Sequence, residues 1–138
     1  MGKPEFAPAF ARGLRHFNSR EFWKAHEAWE ELWLESESRL VEFLQGLIQL
    51  AAAYHHAQRG TLRGAVRLFD SALRKLEAFP PDYCDIDRSK AVEAAARHRA
   101  WASARVDAGT LEALPERDYP VIGILTIDEV FIPPEMPW

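Results

Sequence analysis

Apolar positions recur at three- and four-residue intervals along most of the chain, which is the signature of amphipathic helices. Phe10, Leu14 and Phe17 predict a first helix over Pro8–Phe17. A second follows over Ser19–Glu35, with Asn18 or Ser19 placed to cap it, since either side chain accepts from the free amides of the next turn. The third helix is expected over Arg39–Arg59, and its alanine- and leucine-rich run from Leu44 to Tyr54 reads as buried on most sides. Gly46 inside that run costs about 1 kcal/mol relative to alanine, which implies close approach of a neighbouring helix. Gly60 is a natural C-cap. The fourth helix, Leu62–Ala78, carries the stripe Ala65, Leu68, Phe69, Ala72, Leu73 and Leu76, and the short Gly60-Thr61 junction folds it back on the third as a hairpin. Pro80-Pro81 ends it. A fifth helix over Arg88–Ala108 closes at Gly109.

The tail differs in kind. Tyr119 to Ile132 is β-branched and apolar, yet no other segment reads as a strand to pair with it. It therefore lies extended over the bundle, pairs with a second copy as a homodimer, or binds a partner. Pro133 to Trp138 reads as polyproline-like. The expected architecture is all-α: a compact four- to five-helix bundle over residues 1–118, and an extended C-terminal arm, 119–138, that is not a separate domain.

Composition narrows the function classes. A chain of 138 residues makes one domain, and a net charge of −4 argues against the broad basic surface that nucleic-acid binding needs. Cys84 is the single cysteine, so no internal disulfide forms. The Met1–Phe6 segment lacks an apolar leader pattern, and no run is long enough to span a bilayer. The expectation is a cytoplasmic protein that does not engage the membrane.

Candidate chemistry gathers on the second and third helices. Helical spacing puts Phe22, His26, Trp29, Glu30 and Trp33 on one broad face, with Trp23, Trp29 and Trp33 most simply core. On the third helix, Leu44, Ile48, Ala51 and His55 form one stripe, and Gln45, Gln49, Ala52 and His56 form the next. If these helices pack together, His26, Glu27, Glu30, Trp33, Gln45, Gln49, His55 and His56 form one polar cluster. It is either a network of groups satisfying one another, including an i to i+4 bond from His26 to Glu30, or a pocket for a small molecule or protein partner. His26-Glu27-x-x-Glu30 is close to the zincin motif, with glutamate in place of the second histidine, which removes a ligand. No cofactor is required by the sequence; a transition metal held by His26, Glu30 and His55 or His56 is the weaker option. Cys84 stands beside Asp85, whose charge would raise a thiol pKa. Arg59, Arg63, Arg67 and Arg74, with Arg97, Arg99 and Arg105, form either an anion patch or a solvated face answering Glu27, Glu31, Glu35 and Glu42.

His26-Glu27-x-x-Glu30-x-x-Trp33, followed by Gln45-Gly46-x-Ile48-Gln49-x-Ala51-Ala52-Ala53-x-His55, resembles the prokaryotic family called domain of unknown function 309, over about Phe17 to Leu76. The resemblance implies a compact helical bundle and picks out His26, Glu27, Glu30, Trp33, Gln45, Gly46 and His55; it implies no activity. The expected function is a non-catalytic binding or interaction module using the cluster. The alternative is a metal-dependent or acid/base hydrolase, with Glu27 or Glu30 as base and His26 and His55 as partners.

Overall fold

The computed structural model describes residues 7–110 and 112–125. Five helices pack in contact: α1 (Ala7–Asn18), α2 (Phe22–Leu34), α3 (Ser38–Arg59), α4 (Leu62–Leu76) and α5 (Arg88–Ala108). Single 3-10 turns lie at Tyr83–Asp85 and Glu116–Asp118. Among the described residues there is no strand, and the one β-bridge is an isolated antiparallel pairing of Ile86 with Ile124. The all-α architecture expected from periodicity is the one observed. The polyproline-like end, Pro133 to Trp138, lies outside the described residues.

Short linkers set the topology. Three residues join α1 to α2, three join α2 to α3, and Gly60-Thr61 joins α3 to α4; such connections make consecutive helices antiparallel neighbours. Gln58 Nε2 donates to Arg20 O at 3.0 Å, tying the end of α3 to the start of α2. α3 is thus flanked by α2 and α4, while α1 packs on α2 and α5 on α4. Gly60 and Gly109 take left-handed conformations at the ends of α3 and α5, both with φ 77°, where a Cβ would be strained.

The core radiates from Tyr54, which is fully buried in the middle of α3. Its ring meets Phe17 of α1, Phe22 of α2, Phe69 of α4, His98 of α5 and Tyr119 beyond α5, with centroids 4.9–6.1 Å apart. Four of these five contacts are edge-on, the geometry that ring quadrupoles favour. One side chain therefore touches a ring from every other helix and from the arm.

Two boundaries differ from the spacing-based reading. Asn18 does not cap α2; Glu21 holds the N-cap position, without a side-chain bond to the helix. Asn18 is instead the last residue of α1, and its carboxamide pairs with one extended residue of the arm. Nδ2 donates to Ile122 O at 3.0 Å, and Ile122 N–H donates to Oδ1 at 2.7 Å. An amide offers one donor and one acceptor side by side, as a neighbouring strand would. α4 ends at Leu76 and not at Ala78 because the chain tightens: Phe79 N–H donates to Leu76 O at 3.1 Å. That turn swings Phe79 onto Phe43, 5.1 Å away edge-on.

The arm lies on its own bundle as far as Leu125, and its docking starts well before Tyr119. Leu114 N–H donates to Ala57 O at 3.0 Å, and Leu114, Tyr119 and Ile122 are buried. Tyr119 Oη donates back to Leu114 O at 2.9 Å, closing the loop that carries both anchors. Asp87 N–H donates to Gly123 O, and Leu125 N–H to Asp85 O, each at 2.9 Å.

Two glycines mark where helices approach most closely. A Cβ on Gly46 would stand 2.9 Å from Cδ2 of the buried Leu76, the close approach expected from its place in α3. A Cβ on Gly13 would run into the indole of Trp29, which is fully buried and donates Nε1–H to Phe10 O at 3.2 Å. Gly13→Ala and Gly46→Ala should each lose about 1–3 kcal/mol to overpacking, despite alanine's better helix propensity. Gly13→Ala should be the worse, because a fixed indole cannot yield. Urea midpoints at unchanged m-value test this; two variants as stable as the parent would contradict the packing described.

Candidate functional site

The face that α2 turns to the core is Phe22, Ala25, Ala28, Trp29 and Leu32. This is rotated from the face expected, because Ala25 and Ala28 are small enough to let neighbouring helices close in on that side. The rotation sorts the tryptophans. Trp29 is core, Trp33 is half-buried, and Trp23 is 47% exposed. It also places Glu27 and Glu30 at the surface. The i to i+4 bond from His26 to Glu30 is not made: Glu30 is exposed, and His26 Nδ1 has no partner.

What the seam between α2 and α3 gathers is narrower than the expected cluster. His26 is half-buried and lies flat against Trp23, with ring centroids 4.4 Å apart and planes 9° apart. His55 of α3 meets the same indole, at 5.2 Å. Burial first, then the charges of Arg59, His56 and His26, lowers the pKa of His55 below the ordinary imidazole value. Gln45 and Gln49 are half-buried on α3. His56 is turned away to the α3–α4 junction. Thr61 Oγ1 donates to His56 O at 3.2 Å, so His56 Nδ1–H donates to Thr61 Oγ1, at 2.7 Å. His56 thus locks the helical hairpin, its ring lying beside Gly64.

Three buried polar atoms have no hydrogen-bond partner among the described residues: His26 Nδ1, Trp33 Nε1 and Gln49 Oε1. All three come from α2 and α3. An unpaired buried polar group costs roughly 1–3 kcal/mol, so three on one helix pair are a concentrated expense. Chemically they offer a donor from the indole, an acceptor from the carboxamide, and an imidazole nitrogen able to do either.

Among the described residues, no group of three or more His, Cys, Asp or Glu side chains is placed to hold a metal ion. Burial pushes the Cys84 thiol up to about 11, a cause other than the neighbouring Asp85 charge expected. Some of the arginines find local partners. Arg12 pairs with Glu31 at 2.9 Å, Arg99 with Asp70 at 2.9 Å, and Arg105 with Glu112 at 3.1 Å. Glu31 is therefore answered from α1, not from α4 or α5.

The buried pair of Tyr54 and His98 was not singled out by the sequence reading. Tyr54 Oη and His98 Nδ1 are 2.6 Å apart, and His98 also hydrogen-bonds the backbone of Asp118 at the arm. With that carbonyl taking the other ring N–H, the Tyr54 hydroxyl donates to Nδ1. Burial holds the phenol above its ordinary range and, as the largest influence, lowers the pKa of His98. A signal for His98 exists in the sequence: it continues the buried alanine stripe Ala91, Ala94, Ala95 and Ala102 at helical spacing.

Comparison with known proteins places part of the chain. Residues 10–68 carry a match to the family described as "Domain of unknown function (DUF309)", from within α1 to the middle of α4. The chain is also similar to "Uncharacterized protein YpuF" of Bacillus subtilis (strain 168), 36% identical over 61 residues. That stretch is 44% of this chain and 35% of the relative, so the chain spans about a third of the length of the protein it matches. The seam residues lie inside the family match; α5, His98 and the arm lie outside it. No helix among the described residues is long and apolar enough to cross a membrane.

The two lowered imidazoles set a pH dependence. The unfolded chain binds more protons than the folded one once the pH drops below the ordinary histidine value of 6.5. Stability is therefore complete above that value and is lost as the pH falls below it towards the folded pKa values. Urea midpoints should fall across this window, and His98→Gln should flatten the slope; a rise on acidification would refute the assignment. Tyr54→Phe should cost about 1–3 kcal/mol at neutral pH by leaving His98 Nδ1 buried and unpaired.

Proposed function

We propose that this small helical protein is a non-catalytic binding module whose α2–α3 seam receives a small polar ligand or a polar side chain of a protein partner. The observation that carries the reading is the trio of unpartnered buried atoms, His26 Nδ1, Trp33 Nε1 and Gln49 Oε1, on a single helix pair. Trp23, half exposed on the same helix and stacked on the His26 ring, supplies an apolar face at which a ligand can arrive. A planar amide or carboxylic acid matches the set, giving an acceptor to the indole N–H and a donor to the carboxamide oxygen. Binding then offsets the expense of the unpaired groups.

A second reading, an acid/base hydrolase, draws on one observation. Glu27 and Glu30 are exposed, and His55 is kept neutral at physiological pH, so a carboxylate and a free imidazole are both reachable from solvent. The binding reading is favoured because two of the three unpartnered atoms, Trp33 Nε1 and Gln49 Oε1, belong to groups that do not transfer protons, and only His26 could serve both readings.

Gln49→Leu separates a ligand site from a structural network. If Gln49 serves a ligand, the leucine variant should gain about 1 kcal/mol, since it removes a buried unpaired oxygen at similar volume. Loss of stability in that variant would make Gln49 a structural member and sink the proposal. In the parent, benzamide and benzoate should shift the indole N–H resonances of Trp23 and Trp33, and leave that of Trp29, bonded to Phe10, in place. Hydrolysis of ester or amide probes that disappears in Glu27→Gln or Glu30→Gln, together with metal content by plasma mass spectrometry, would favour the second reading.

A further inference from the structure

The end of the molecule where α3 starts and α4 finishes holds a concavity of about 350 Å³, lined by Arg39, Glu42, Arg74, Lys75, Ala78 and Phe79. We infer that this concavity is an anion site that takes the phosphate group of a small phosphate ester, with Arg74 and Lys75 as its mobile cations and Arg39 as its fixed wall. It lies at the opposite end of α3 from His55 and does not depend on the seam reading.

Charge argues for an anion. The lining carries three cations and one carboxylate, a local excess of two positive charges on a chain whose net charge is −4. Cations near a helix C-terminus have an ordinary explanation, because they offset the negative end of the helix dipole. Here Arg39 already meets that need: its Nη2 donates to Ala78 O at 3.2 Å, and its guanidinium lies over the Phe79 ring at 4.7 Å. Arg74 and Lys75 are left over, and neither forms an ion pair among the described residues. The first turn of α3 reaches the same end, and its N-cap residue Glu37 makes no side-chain bond to the helix amides. Its free amides add a favourable partial charge, which the Glu37 carboxylate at the cap partly offsets.

Geometry argues for a built position and for an ester. Gly46 allows α4 to come so close that a Cβ there would lie 3.2 Å from Lys75 Cβ, so the backbone carrying both cations is fixed against α3. The edge of Phe79, Ala78 and the arginine stems give the concavity an apolar side for the alcohol part of an ester. A doubly charged oxyanion gains most from two cations at once.

The test uses the full chain at constant ionic strength, with inorganic phosphate and phenyl phosphate titrated separately and followed by NMR at the arginine Nε–H groups and backbone amides. Both anions should give saturable shifts at Arg39, Arg74 and Lys75. Phenyl phosphate should bind more tightly and also move Phe79; equal affinity would restrict the site to the free anion. Arg74→Gln with Lys75→Gln should weaken binding by at least about tenfold, because two charge-assisted contacts are lost. Arg63→Gln with Arg67→Gln, which alters exposed cations elsewhere on α4, should leave it unchanged. All four positions are solvent-facing or partly so, and glutamine is a good helix former, so circular dichroism should match the parent. Shifts that grow linearly without saturation, or that are equal at Arg63 and Arg67, would overturn the inference.

Discussion

Tyr54 is the point on which the bundle closes. Rings from α1, α2, α4, α5 and the arm converge on it, and its hydroxyl reaches the imidazole of His98 at 2.6 Å. A tyrosine does this where a phenylalanine could not, because burying His98 on α5 demands a donor for its free nitrogen. The alanine stripe of α5 brings that helix in close, and the tyrosine supplies a buried polar contact to it, beside the more exposed pair of Arg99 with Asp70. The rest of α3 is then free to carry polar residues along its flank.

That freedom is where the candidate site arises. The side of α3 facing the core is occupied by Phe43, Leu44, Leu47, Leu50, Ala51, Ala53 and Tyr54. His55 lies at its margin, where α2 offers Trp23 and His26, and Gln49 and Trp33 are half-buried on the same two helices. The seam combines a solvent-reachable aromatic face with polar atoms that have no hydrogen-bond partner among the described residues. Tyr54 and His98, by contrast, are paired, and Tyr54 directly precedes His55 on α3.

The arm belongs to the same economy. Its anchors Leu114, Tyr119 and Ile122 cover core that the helices leave open, and Asn18 gives Ile122 the two bonds a neighbouring strand would give. An extended apolar segment presents unpaired backbone groups, and one carboxamide removes a pair of them from the exposed edge. The arm, α5 and His98 all stand outside the family match, while Tyr54 stands within it. The central ring is therefore shared ground between the matched region and the additions that pack upon it.

Helix number, the hairpin at Gly60-Thr61, the end of α5 at Gly109 and the close approach at Gly46 were all legible in the sequence. They follow from local rules: apolar periodicity, the cheapness of a left-handed glycine, and the cost of a glycine inside a helix. The azimuth of α2 was not legible, because alanines at 25 and 28 count as weakly apolar in any periodic pattern, yet their small size decides which side packs. With that rotation Glu27 and Glu30 went to solvent, Trp23 was exposed, and His26 lost its expected partner. His56 went to Thr61, a contact set by the turn after α3. Asn18 looked like a cap and became a clamp, since a partner 104 residues along the chain is invisible to local spacing. Local rules determined the elements; tertiary packing alone chose which polar groups would meet, because the meeting depends on helix rotations of less than a quarter turn.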